Sequence, residues 1–168
     1  PFGWFKNKLI SISENFTDGT HDSPNQVNDI KGKYLITGKH LMSNKIDFST
    51  AYRISESDHL QISRRSGLKT NDILFSNIGT LCNVAKVGNF TDFSCKNVFI
   101  FRPRKKMDSF LFEFLKNEKN KENFIQLSSG STQKFISLEF MRKFQTIMAP
   151  TYITEQFHDT YTPLYSEI

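Results

Sequence analysis

The sequence predicts an α+β fold: one globular unit with a central antiparallel or mixed sheet flanked by short helices. Three observations predict it. Strand-length apolar runs, Ile73-Leu74-Phe75, Val84-Ala85-Lys86-Val87 and Asn97-Val98-Phe99-Ile100-Phe101, are separated by the turn residues Asn77-Ile78-Gly79 and Gly88-Asn89. Past Pro103 the period changes, and Phe110, Leu111, Phe114 and Leu115 recur at helical spacing. The length, 168 residues, suits one well-cored domain and is short for two. Such a domain buries roughly 70% of its unfolded surface and needs no disulfide or metal to hold it.

Taken in order, the stretch Asp18-Gly19-Thr20-His21-Asp22-Ser23-Pro24-Asn25 is loop chemistry. Tyr34-Leu35-Ile36-Thr37 reads as a short strand. Ser55 reads as the N-cap of a short helix through Asp58, Leu60 and Ile62. The runs between Asp72 and Arg102 read as an antiparallel meander, with Cys82 in a strand beside Leu81 and Val84. A second helix carries Phe124 and Leu127 and breaks at Gly130-Ser131-Thr132-Gln133. Ser137-Leu138-Glu139 caps another, and a strand over Phe144–Met148 ends at Pro150. The globular pattern therefore occupies residues 1–150. The tail, 151–168, begins as a helix that Pro163 should kink or end. Its Ile153, Phe157, Tyr161 and Leu164 fall on one helical face, a stripe that needs covering by its own domain, a second copy or a partner. Seventeen Phe against one Trp make Phe the main core residue.

Composition narrows the class. Two cysteines are too few for a secreted disulfide framework, which points to reduced thiols and a cytoplasmic location. No apolar run approaches the ~20 residues of a membrane helix. The start, Pro1-Phe2-Gly3-Trp4, has neither the regions of a signal peptide nor a Met, as expected of a trimmed or fragmentary chain. The net charge of +5 is unevenly placed: Phe99–Lys143 holds ten basic and five acidic residues, and the remainder twelve of each. A basic excess confined to one stretch attracts polyanions, and equally fits a solvated face.

Catalytic patterns are missing. The chain has no phosphate-binding glycine loop and no dinucleotide fingerprint. His21, His40, His59 and His158 are scattered, and none has metal-ligand spacing with Cys82 or Cys95. Ser76 lacks a nucleophile-elbow context. Asp18 with Asp22 fits turn hydrogen bonding rather than acid–base work. Neither cofactor nor metal is expected, and the weight falls on binding.

Four segments, in this order and spacing, carry a resemblance. The first pairs Asp18-Gly19-Thr20-His21-x-Ser23-Pro24 with Tyr34-Leu35-Ile36-Thr37-Gly38-Lys39-His40-Leu41. The second runs Arg64-Arg65-Ser66-x-Leu68-Lys69 into Asn71-Asp72-Ile73-Leu74-Phe75-Ser76 and Gly79-Thr80. The third is Asn97-Val98 leading to Arg102-Pro103. The fourth is Gly130-Ser131-Thr132-Gln133-Lys134-Phe135-Ile136-Ser137-Leu138, followed by Ala149-Pro150 and Glu155-Gln156. Together they span nearly the whole chain, which resembles a target recognition domain of type I restriction-modification specificity subunits.

The resemblance implies sequence-specific recognition of duplex DNA, one half-site of a bipartite target, by a component with no catalysis of its own. It implies modification (methyltransferase) and restriction subunits as partners, self-association if the chain is a half-subunit, and 151–168 as the start of a spacer or dimerisation helix. The DNA-binding candidates are Thr20, His21, Lys39, Arg64, Arg65, Lys69, Asn77, Ser131, Thr132, Gln133 and Lys134. Their chemistry suits the role, because Arg, Lys, Asn and Gln can read base edges while Lys, Ser and Thr meet phosphates. Arg64-Arg65 also fits a helix end complementing its dipole, and Asp18-Gly19-Thr20-His21 a tight turn. The alternatives are a specificity subunit of a type IIB-like system or a general DNA- or RNA-binding module. An RNA module is disfavoured because Phe99 and Phe101 lie in an apolar run rather than an RNP-like pattern. A small nuclease would need a carboxylate cluster, and a pure assembly protein would use the tail as its arm.

Overall fold

The structure, a computed structural model, describes residues 3–130 and 134–166. The strands are β1 (Phe5–Lys8), β2 (Ser13–Asp18), β3 (Lys33–Ile36), β4 (Leu41–Met42), β5 (Lys45–Ile46), β6 (Arg53–Ile54), β7 (Ile73–Ser76), β8 (Val84–Lys86), β9 (Phe93–Cys95), β10 (Val98–Pro103) and β11 (Gln145–Met148). The helices are α1 (Glu56–Ser66), α2 (Asp108–Lys116), α3 (Glu118–Gln126), α4 (Leu138–Lys143) and α5 (Thr151–Ser166). Three of them start on side-chain caps. Backbone N–H groups of Asp58, Asn120 and Phe140 donate to the side chains of Ser55, Asn117 and Ser137 at 3.1, 3.3 and 3.0 Å.

The architecture is α+β. An antiparallel sheet of order β2-β10-β7-β8 lies at the centre. Its inner strands are continuous apolar runs because both faces are covered. Ile73, Phe75, Phe99 and Phe101 point to one side and pack with Leu111, Phe112, Leu115, Phe124 and Met141 of α2, α3 and α4. Leu74, Ala85, Val98 and Ile100 alternate to the other and meet Ile36, Leu41, Phe93 and Cys95. That second face is closed by a sheet of order β6-β3-β9, in which β3 and β9 run parallel. Phe is indeed a main core residue: the rings of Phe75 and Phe99 stack at 6.4 Å, and Phe124 meets Phe75 edge-on at 5.5 Å.

Three local expectations are corrected. The runs between 72 and 102 do not form a simple meander: β10 pairs not with β8 but with β7 and β2, so it is the strand with neighbours on both edges. Between β8 and β10 the chain crosses to the other layer to make β9, whose three residues, Phe93-Ser94-Cys95, carry no period to announce it. Cys82 is not in a strand but in a turn with φ +65°, although its side chain is buried as expected. Of the kink or end expected at Pro163, the end does not occur: α5 runs through it to Ser166. Proline removes the donor that would reach the Asp159 carbonyl one turn back.

The tail packs on its own domain through a face that shares Tyr161 with the apolar stripe. Thr154, His158, Tyr161 and Thr162 face α2 and the loop before it. His158 Nδ1 is 2.9 Å from Asp108 Oδ1, and Ser109 Oγ is 3.2 Å from both His158 Nδ1 and Thr162 Oγ1. Thr154 donates to Met107 Sδ at 3.3 Å, and the Tyr161 hydroxyl donates to Glu113. Phe157, from the expected stripe, stays 38% exposed.

At the lower end of the central sheet, Asp72 and Arg102 form a two-point ion pair. Arg102 Nε donates to Oδ1 at 2.9 Å and Nη2 to Oδ2 at 2.7 Å, while Nη2 also reaches the Gly67 carbonyl at 2.9 Å. The Asp72 side chain is 1% exposed. Arg102→Ala strands that carboxylate, and urea denaturation should record a loss of about 3 kcal/mol or more.

Candidate nucleic-acid interface

Antiparallel pairing places the end of β2, the start of β10, the end of β7 and the start of β8 at one end of the central sheet. β3 ends there too, because the Lys96 N–H donates to the Ile36 carbonyl at 2.8 Å. Five segments therefore meet at this upper end: 19–25, 37–40, 77–83, 96–97 and 134–136. Backbone contact fixes them. Gly19 passes so close to β9 that a Cβ there would sit 2.2 Å from the Cys95 carbonyl oxygen, so only glycine fits. Gly38 is similarly pressed against Ser76 and the Thr80 carbonyl. The segment 134–136 is tied down by Ile136 N–H donating to the Asn77 carbonyl at 2.9 Å and by a bridge between Ile78 and Phe135.

Within this frame His21, Lys39 and Lys134 are exposed on neighbouring connections, and Arg65 is exposed in the last turn of α1 with Arg64 exposed beside it. Asp18, at the end of β2, organises two of them. Its Oδ2 lies 2.8 Å from His21 Nε2, and its Oδ1 lies 3.3 Å from Arg65 Nη1. Arg65 Nη2 also donates to the Gly19 carbonyl at 2.8 Å, and His21 Nδ1 lies 3.0 Å from Asn97 Oδ1. Lys96, which sequence reasoning passed over, donates from Nζ to Ser23 Oγ and joins the same surface. Its adjacency to Asn97-Val98 was the signal that could have found it.

Three candidates are placed differently. Thr20 is 7% exposed, and its Oγ1 accepts from the Asp22 N–H at 3.1 Å, so it shapes the turn. Asn77 is 4% exposed, with Nδ2 donating to the Ile136 carbonyl at 3.3 Å; buried there, it positions the loop from inside. Lys69 lies at the opposite end of β7, where its N–H donates to Asp72 Oδ2 at 2.8 Å. Four extended residues put roughly 13 Å between the two ends. Ser131, Thr132 and Gln133 lie outside the described residues.

Six of the ten basic residues of 99–143 are engaged within the chain. Besides Arg102, Arg104 Nε donates to the Ser11 carbonyl at 3.0 Å, and Lys106 pairs with Asp159 at 2.7 Å. Lys116, Lys121 and Lys143 pair with Glu113, Glu118 and Glu139 on their own helices. A cleft of about 540 Å³ at the lower end is lined by Lys69, Lys86, Arg102 and Lys105, yet Asp72, Asp108 and Glu14 line it as well.

Reactive chemistry has little support here. Among the described residues no group of three His, Cys, Asp or Glu side chains comes together as a metal site. Burial pushes the Cys82 thiol up to about 12 and the Cys95 thiol upward as well. Burial also holds the His40 imidazole below its ordinary value. No described helix is long and apolar enough to cross a membrane.

The fold has known counterparts. A chain from a structure of complex assembly and conformational transition in a type I restriction-modification system superposes with TM-score 0.67 at 14% identity, covering 99% of this chain and 39% of that one. The type I restriction-modification S subunit from M. genitalium gives 0.62 at 11%, covering 97% and 39%. The HsdS subunit from Thermoanaerobacter tengcongensis gives 0.64 at 13%, covering 99% and 43%. The fold is thus one found in such S subunits, and this chain spans about two fifths of the length of each. No family profile and no curated protein matches the sequence.

Both cysteines are reduced and buried. Ellman's reagent at pH 8 should therefore leave the native protein essentially untouched and titrate two thiols once urea unfolds it. Rapid reaction of the native protein would contradict this placement.

Proposed function

We propose that this chain is the target recognition domain of a type I restriction-modification specificity subunit, and that it reads one half-site of a bipartite duplex DNA target without catalysis of its own. What carries the reading is one coincidence: the S-subunit fold covers 97–99% of the chain, and its upper end gathers His21, Lys39 and Lys134 on exposed connecting segments beside Arg65 in the last turn of α1, next to Arg64. Loops on a scaffold are the usual carriers of recognition. Duplex binding should weaken with salt, each neutralised phosphate adding roughly −0.9 to the log–log slope.

Lys134 and Gln133 divide the two tasks. Lys134→Ala should weaken all sequences alike and flatten the slope by about 1. Gln133→Ala should relax preference at one position by about 1–3 kcal/mol. Fluorescence-anisotropy titrations across salt check both, and a salt-independent affinity would remove the proposal.

Modification and restriction subunits are the partners in this reading, and α5 is the start of the spacer that meets them. Its outer face presents Tyr152 and Phe157, both exposed. The double change Tyr152→Asp and Phe157→Asp should reduce co-elution with the modification subunit in size-exclusion chromatography. Undiminished co-elution would show that α5 is not the docking element.

A further inference from the structure

A third polar surface joins the upper end besides the loops. Between the 20–24 loop and α1 lies a cleft of about 520 Å³, lined by Thr20, His21, Ser23, Asp58, Gln61 and Arg65 among others. The helix is firmly seated on its other side. His59 is buried, with Nδ1 2.9 Å from Ser94 Oγ, and Ser66 is buried with its hydroxyl donating to the Ile62 carbonyl at 3.0 Å. The face that lines the cleft thus points away from the side that His59 anchors to β9.

Its three polar side chains are not equivalent. Asp58 is engaged locally, because Ser55 Oγ donates to its Oδ2 at 2.6 Å. Arg65 is oriented by Asp18 and the Gly19 carbonyl but uses only part of its five-donor fork there. Gln61 is exposed, and its carboxamide makes no hydrogen bond among the described residues. Gln61 and Arg65 stand one turn apart, which puts them on the same face of α1. The helix rises about 6 Å over those four residues, close to two base-pair steps of roughly 3.4 Å each. Both are fork-shaped groups suited to base edges, Gln to adenine and Arg to guanine.

We propose that α1 is a base-reading element and that Gln61, one turn before Arg65, is a specificity-determining residue of the DNA site. The proposal rests on the duplex-reading function above. The cleft admits the edge of a base pair, with Arg65 held by Asp18 as the fixed half of the reader and Gln61 as the adaptable half.

The test is enrichment from a randomised duplex library by the full chain and by Gln61→Ala, Gln61→Glu and Arg65→Lys, together with the salt dependence of each. Gln61 is exposed, so circular dichroism should show all its variants folded. Gln61→Ala should lose roughly 5- to 150-fold of discrimination at one base pair with an unchanged salt slope. Arg65→Lys should lose it at a neighbouring position. Gln61→Glu, which can only accept, should shift the preferred base toward cytosine. If Gln61→Ala enriches the same motif with the same strength, or weakens all sequences and lowers the slope, α1 does not read bases, while the duplex-binding function stands. If the unaltered chain enriches no motif at all, the proposed function itself falls, and this inference with it.

Discussion

Val98, Phe99, Ile100 and Phe101 are buried without exception, alternate between two cores, and lie in a strand paired along both edges. Fully burying side chains of this kind contributes about 1.5–3 kcal/mol each. A one-residue slip would carry every one of them to the wrong face. β10 therefore fixes the register of β2 and β7, and through them the points at which the loops leave the sheet. Where the strand stops being apolar, at Arg102, the upper layer of packing gives way to an ion-paired corner with Asp72 and the Gly67 carbonyl.

The two ends of this sheet use charge in opposite ways. At the lower end, lysines and arginines are consumed by Asp72, Asp108, Asp159 and backbone carbonyls, joining β10, α2 and α5. At the upper end, Lys39 and Lys134 stand exposed, and one buried carboxylate, Asp18, holds the side chains of His21 and Arg65 in place. Attraction for a polyanion depends on charge that solvent and ligand can reach. The count of basic residues in 99–143 thus does not by itself measure the charge open to a ligand. Four of those ten, Arg102, Arg104, Lys105 and Lys106, belong to the corner, and three more pair along their own helices, whereas the upper end presents Lys39, Arg65 and Lys134.

Preorganisation runs through the upper end. Gly19 against Cys95, Gly38 against Ser76, and Asn77 inside the 134–136 segment each hold a loop by backbone or buried contact rather than by surface side chains. Loops fixed before binding lose less conformational freedom when they meet a ligand. The same economy explains why Thr20 and Asn77, chosen for their hydrogen-bonding groups, serve the frame: a turn and a loop tether use those groups first.

What the sequence by itself determined is local and periodic. The continuous runs at 73–75, 84–87 and 97–101 specify strands buried on both faces, the stripe at Phe110–Leu115 specifies a helix, and Ser55 and Ser137 specify helix starts. Each signal is written in a few adjacent residues. β2 and β9 were illegible because a polar edge strand and a three-residue strand take their pairing from partners far along the chain, β10 and β3. Likewise, nothing in Arg64-Arg65-Ser66-Gly67-Leu68-Lys69 tells that Arg65 faces the upper end and Lys69 the lower. Only the tertiary structure decided which candidates share a surface, because the crossing of α1 and the order β2-β10-β7-β8 bring together residues that the chain keeps tens of positions apart.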